Sequence, residues 1–145
     1  MIVTDGSLSK DGRHIDFTSR DYEQIVNFLK CIDIKSKYRL KNSGTVTRKK
    51  YYSVQFSDVN FHKFLNSIGI YSNKSKSIFN VDIPDTYFRD LLRGIFDGDG
   101  YSTSYWSNKY KNSFILYLGF VSASYKYLKW LKNKIWNLYR INVIK

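Results

Sequence analysis

Two glycines four residues apart, the second of them set between two aspartates, constrain this chain more than any other feature. Residues 92–100 read Leu-Arg-Gly-Ile-Phe-Asp-Gly-Asp-Gly. Positions four apart share one helix face. Gly94 and Gly98 therefore form a strip without side chains, against which a second helix backbone can lie closely. The segment ends on Asp97, Gly98, Asp99 and Gly100. Acidic side chains are disfavoured at a helix C-terminus, where the macrodipole is negative and Lys or Arg would help. A plain polar helix stop accounts for Gly100, a good terminator, and for one acid near a turn. It does not account for a glycine pair placed directly among carboxylates.

The rest of the composition narrows the partner. Net charge is +12, from 24 basic and 12 acidic residues. Such a surplus favours a polyanion, because each neutralised phosphate releases counterions. Aromatics make up 18% of the chain, and interleaved with basic residues they suit nucleic acid. A single cysteine, Cys31, excludes an internal disulfide framework and a cysteine-based zinc cluster. His14 and His62 show no ligand spacing. Cys31 reads as a small packed or half-exposed thiol, and His62 falls off the apolar stripe of its helix. No apolar run approaches the ~18 residues of a membrane span. No signal-peptide pattern opens the chain. The expectation is an intracellular, reducing compartment with no membrane contact.

Periodicity organises the chain into helices and hairpins. Residues 7–19 predict a hairpin turning at Asp11-Gly12, a type I′ signal, with Ile15 and Phe17 on one face and His14, Asp16 and Thr18 on the other. Residues 20–33 predict a helix capped by Ser19, with Tyr22, Ile25, Val26, Leu29 and Ile32 inward. Strands follow around Tyr38–Lys41 and Tyr51–Phe56, joined through Asn42, Ser43 and Gly44. A helix over 58–69 carries Phe61, Phe64, Leu65 and Ile68 on one face, capped by Asp58 and closed by Gly69. Residues 71–77 read as a polar loop and 85–98 as a helix. Strands 101–107 and 113–122 and a helix over 124–139 complete the pass, the last with Tyr127, Leu128, Leu131, Ile135 and Leu138 on one face. The run 114–121 is the longest apolar stretch and reads as a buried strand. Trp106, Trp130 and Trp136 read as core or interface. The order of elements is a weak internal repeat whose second copy begins near Asp85. Hairpins with helices on one face make an α+β fold.

Residues 92–100 resemble the LAGLIDADG signature, with Arg93 for the usual alanine and Gly98 for the second. Residues 1–6, Met-Ile-Val-Thr-Asp-Gly, resemble the end of a first copy. There Asp5-Gly6 is kept and Val3 replaces the first aspartate. The 94-residue spacing between Asp5 and Asp99 suits one repeat of the LAGLIDADG homing endonucleases. The resemblance covers essentially the whole chain and implies αββαββα repeats with saddle-shaped antiparallel sheets. Residues 1–84 would be a first repeat, truncated at the start of its motif helix, and 85–145 a second repeat lacking its C-terminal half. The chain then reads as a fragment of an intron- or intein-type enzyme. When complete it would be a monomer of two pseudo-repeats; the absent segments would otherwise come from another chain.

The resemblance also implies the chemistry. The family packs its two motif helices together and places one carboxylate of each side by side, here Asp5 and Asp99. These would hold Mg²⁺ or Mn²⁺, since oxygen ligands favour hard cations, for hydrolysis of phosphodiester bonds. A basic residue in the loop before the second motif assists, here Lys74 in preference to Lys76. Double-stranded DNA would lie on the polar strand faces and be read in the major groove. The contact candidates are His14, Asp16, Thr18, Arg20, Arg39, Lys41, Tyr51, Ser53 and Gln55. In the second copy they are Tyr101, Thr103 and Tyr105, with Arg48, Lys49 and Lys50 at a turn for phosphates. The expected function is a sequence-specific DNA endonuclease of a mobile intron or intein. The alternative is a non-cleaving nucleic-acid-binding module on the same fold, a transcription regulator or an RNA maturase.

Overall fold

The computed structural model describes residues 1–42 and 50–144. The expected turn through Ser43 and Gly44, and the candidates Arg48 and Lys49, lie outside the described residues. The architecture is α+β. In chain order the first half has α1 (Ile2–Asp5), β1 (Gly6–Leu8), β2 (His14–Ser19), α2 (Tyr22–Cys31), β3 (Tyr38–Asn42), β4 (Lys50–Ser57) and α3 (Val59–Ser67). A short α4 (Lys74–Ser77) and a 3-10 turn (Asp85–Tyr87) lead into the second half. That half has α5 (Phe88–Asp99), β5 (Gly100–Trp106), β6 (Phe114–Phe120) and α6 (Tyr125–Tyr139). Among the described residues no helix is long and apolar enough to cross a membrane.

The first four strands form one antiparallel sheet in the order β1-β2-β4-β3. Strict alternation sorts its faces. Ile15, Phe17 and Val54 are fully buried, and Phe56 is buried beside them. α2 covers this face with Ile25 and Phe28. The Phe17 and Phe28 rings lie 4.5 Å apart, and each side chain of this size stabilises by roughly 1.5–3 kcal/mol when fully buried.

Several local expectations change in detail. Asp11-Gly12 does turn the first hairpin, but only Gly12 has positive φ, 78°, so the turn is not type I′. The Asp11 carboxylate instead accepts from the backbone of Arg13 and His14, at 3.1 and 3.2 Å, closing a longer loop. Asp21, not Ser19, caps α2, accepting from Glu23 N at 2.9 Å. Ser19 Oγ accepts one step earlier, from Asp21 N. Phe28 belongs to the buried stripe, and Val26 and Tyr22 point outward. On α3, Asp58 caps as expected and accepts from Phe61 N at 2.9 Å. Gly69, at φ 93°, ends the helix. His62 is buried and Phe64 exposed, the reverse of the apolar-stripe reading. His62 Nε2–H donates to Ser9 O (3.0 Å), so a polar ring fits inside.

The larger correction concerns β6. Residues 114–120 form a strand, but not a buried one. β5 and β6 make a separate two-stranded ribbon. Register places Trp106, Phe114, Leu116, Leu118 and Phe120 on one face with Ser102 and Ser104. Only Phe120 reaches the core, 5.7 Å from the Phe96 ring of α5. Trp106, Phe114, Leu116 and Leu118 are 67, 55, 59 and 64% exposed. α6 turns its stripe elsewhere: Trp130 and Tyr139 pack on Phe88, and Ser124 Oγ donates to Ile78 O. Of the three tryptophans only Trp130 packs into the core; Trp136 is exposed like Trp106. Cys31 is exposed.

Candidate functional site

α1 and α5 lie against each other, and the glycines of α5 make this possible. A Cβ added to Gly98 would fall 2.5 Å from Thr4 Cβ and closer still to Thr4 Oγ1. One added to Gly94 would lie 3.1 Å from Met1 N. Both helices then run straight into strands. Gly6 and Gly100 have nearly the same backbone, φ −87° and −82° with ψ 157° in both. Neither needs a left-handed conformation; each needs room. A Cβ on Gly6 would meet the Ile2 backbone at 2.7 Å, and one on Gly100 would meet Phe96 Cγ at 2.7 Å. The Asp-Gly pairs at 5–6 and 99–100 thus end two helices with the same geometry at one place in the molecule.

Asp5, Asp99 and Lys74 come together there. Lys74 is 7% exposed, unusual for a lysine. Its Nζ donates to Gly6 O, the residue after Asp5. The segment 71–77 is therefore not merely a polar loop. Asn73 takes a left-handed conformation, φ 59°, and starts the short α4 that aims Lys74 inward. Lys76 stays exposed. Burial lowers the pKa of the Lys74 ammonium, and the charges of Asp5 and Asp99 oppose that shift. Asp99 shows the converse. Burial raises its carboxyl above the ordinary carboxylate value, the Asp5 charge raises it further, and Lys74 pulls it down. Asp5, Asp97 and Asp99 are all exposed, and Asp97 differs in lying 3.9 Å from Arg93 Nε.

A cavity of about 230 Å³ opens beside these groups. Thr4, Lys74, Ser75, Asp99, Ser122 and Tyr127 supply its polar lining. Tyr127, 3% exposed, stacks on Trp130 at 5.5 Å. Burial, then the charge of Asp99, keeps its phenol well above the ordinary range. Residue periodicity places Tyr127 only on the buried stripe of α6. The one signal of something more is its type, a hydroxyl where Leu or Phe would pack.

The polar face of the first sheet carries the other candidates. Register puts His14, Asp16, Thr18, Arg39, Lys41, Tyr51, Ser53 and Gln55 on the face opposite the core. Asp16 organises its centre. It accepts from Thr18 Oγ1 at 3.1 Å and Ser53 Oγ at 3.0 Å, and Lys41 Nζ lies 3.4 Å away. Ser53 is only 2% exposed, which removes it from the surface donors; it steadies Asp16 from below. Arg20 sits over the Tyr51 ring at 5.2 Å and donates to its hydroxyl at 3.0 Å. His14 pairs with Asp11, whose carboxyl lies well below the usual range for that reason. Lys50 is exposed at the start of β4. On the ribbon, Tyr101, Thr103 and Tyr105 share the face opposite Leu116 and Leu118 and are exposed. Tyr105 stacks on Tyr117 at 6.1 Å.

Among the described residues no three His, Cys, Asp or Glu side chains converge as a metal cluster. No protein-family model matches this chain, and no curated protein is significantly similar to it.

Proposed function

We propose that this chain is built on the LAGLIDADG homing-endonuclease fold, as an αββαββα repeat followed by the αββα part of a second, and hydrolyses phosphodiester bonds in a specific double-stranded DNA sequence. The observation that carries the reading is the meeting of Asp5, Asp99 and Lys74 at the ends of two closely packed helices. The donor chemistry fits a hard divalent cation, Mg²⁺ or Mn²⁺. Burial and the Asp5 charge both disfavour the Asp99 anion, and a shared cation relieves both penalties. Mg²⁺ commonly keeps several waters beside one or two carboxylates, so a two-carboxylate site suffices. When bound, such an ion supplies Lewis-acid polarisation of a phosphoryl oxygen and a more acidic water.

The chain's own residues do the rest. Gly94 and Gly98 let α1 and α5 approach, which brings the two acids together. Gly6 O anchors Lys74, so its ammonium offsets the paired carboxylates and faces charge that builds on the phosphate. On the first sheet, Arg39, Gln55 and His14 would meet base edges in a major groove. Lys41, Lys50 and the Arg20–Tyr51 pair would engage phosphates, which set position rather than sequence. Tyr101, Thr103 and Tyr105 offer the equivalent surface on the ribbon. The association with a mobile intron or intein rests on the resemblance in residues 1–6 and 92–100.

The test is selection of cleaved sites from a randomised double-stranded DNA library, with Mg²⁺ and with chelator. Cleavage should require the metal and fall at least ~100-fold in Asp99→Asn and Asp5→Asn, as for loss of a principal transition-state stabiliser. Binding in chelator should persist in both variants. Sequence-selective binding with no metal-dependent cleavage by the wild-type chain would favour the regulator or maturase reading instead. Cleavage that survives Asp99→Asn would refute the mechanism.

A further inference from the structure

Tyr127 raises a question that packing alone does not answer. Its ring stacks on Trp130 and fills the stripe of α6, a task phenylalanine performs equally well. Its hydroxyl is buried and finds no hydrogen-bond partner among the described residues. Buried polar atoms are nearly always satisfied, and a cavity lined by several of them holds water. Tyr127 is itself part of the lining of the cavity that Asp99, Lys74, Thr4, Ser75 and Ser122 also line. At about 230 Å³ the space exceeds the ~30 Å³ share of one water several-fold. The wall is held in place from two sides: Val121 N donates to Asp99 O at 3.0 Å, and Ser124 Oγ both accepts from Tyr127 N at 3.3 Å and donates to Ile78 O.

We propose that Tyr127 is a positioning residue of the hydrolytic centre, its hydroxyl fixing a water molecule that Asp99 also holds. The proposal rests on the nuclease reading for the role of that water, though not for its existence. The phenol stays neutral, so it donates one hydrogen bond to the water oxygen and leaves the water's protons directed at acceptors. Asp99 is the acceptor in the lining. The Lys74 ammonium stays on Gly6 O and offsets the charge of Asp99. One donor and one carboxylate around one oxygen restrict its orientation and leave a lone pair free, which is the condition for attack on a phosphorus along a defined line. No proton leaves the tyrosine in this role.

Two experiments on the full chain decide it. In a high-resolution crystal structure, wild type should show an ordered water within hydrogen-bonding distance of Tyr127 Oη and Asp99, and Tyr127→Phe should lose it or show it displaced. A dry cavity, or a protein group bonded to Tyr127 Oη, would overturn the proposal. In cleavage assays Tyr127→Phe should lower kcat ~10- to 100-fold, the usual range for outer-shell partners, with KM for DNA unchanged. A purely structural tyrosine would leave kcat intact, since phenylalanine preserves the packing. Unchanged kcat in an active enzyme therefore also overturns the role. If wild type itself fails to cleave, the nuclease reading and the catalytic role fall together, while the electron density still decides the water site.

Discussion

The two halves of the molecule begin alike and end differently. Each starts with a helix that passes through an Asp-Gly pair directly into a hairpin, with matching backbone angles at Gly6 and Gly100. In the first half β3 and β4 extend that hairpin to four strands, and α2 seals its apolar face. In the second half the ribbon has two strands, and its Leu116 and Leu118 stay exposed. An isolated two-stranded hairpin is marginal in water. Stability and site geometry are therefore divided between the halves. The first sheet and α2 build one part of the core, and α5 and α6 add Phe88, Ile95, Leu131 and Ile135; the site draws Asp5, Thr4 and Lys74 from the first half and Asp99, the glycine strip and Tyr127 from the second.

The contrast in covering predicts a contrast in mutational cost. Phe17→Ala, at a fully buried position under α2, should destabilise by ~3–5 kcal/mol. Leu118→Ala should stay within ~0.5 kcal/mol, as exposed substitutions do. Urea denaturation reads both. Equal costs would mean that the ribbon face is covered in solution.

The contact between the halves comes next. Gly98→Ala sets a methyl against Thr4 and should cost ~1–3 kcal/mol, the range for overpacking. Gly94→Ala should cost less, because its nearest neighbour stands farther off. Thr4→Gly should recover much of the Gly98→Ala loss, so a double-mutant cycle should show coupling above ~0.5 kcal/mol. Strict additivity would place the two helices apart.

The helix caps should differ more modestly. Asp58→Ala removes one cap bond and should cost ~1 kcal/mol. Ser124→Ala removes a cap bond and the link to Ile78 O, and should cost ~2 kcal/mol by the scale of two net hydrogen bonds. Thermal melts of the two variants give the ranking directly.

The smallest effect concerns the second half's acid. The folded state raises the Asp99 carboxyl above its ordinary value of 3.8. The folded chain therefore holds this proton at pH values where the unfolded chain has released it. Stability from this group is present in full below the unfolded value and declines as pH rises through the folded one. In metal-free protein at pH 7, Asp99→Asn should raise the thermal midpoint by ~1–2 °C, a modest gain because solvent screens a reachable carboxylate. The gain should vanish near pH 3. A lower midpoint at neutral pH would show that the charged form is the favoured one.

Much of this was legible in the residues, for stated reasons. Alternation separates Ile15 and Phe17 from His14, Asp16 and Thr18, because a strand's period is two. The four-residue spacing of Gly94 and Gly98 marks a contact face, although only the structure reveals Thr4 and Met1 as what they meet. Lys74 could be singled out by its place before the second motif. Its burial could not, since it depends on a left-handed Asn73. Hydrophobicity misled at 114–120: an apolar strand announces a need for cover, not its presence. It misled again at Phe64 and His62, because a histidine with a carbonyl to satisfy it packs inside as readily as a phenylalanine. Tyr127 was visible as a core position, while its lone hydroxyl depends on neighbours from distant parts of the chain.

The most direct measurement is divalent-ion binding by the full chain, wild type against Asp5→Asn, Asp99→Asn and the double variant, followed by Mn²⁺ titration. Two carboxylates acting on one ion should make either single replacement as damaging as both together. Losses that simply add, or an affinity indifferent to either residue, would contradict a shared site.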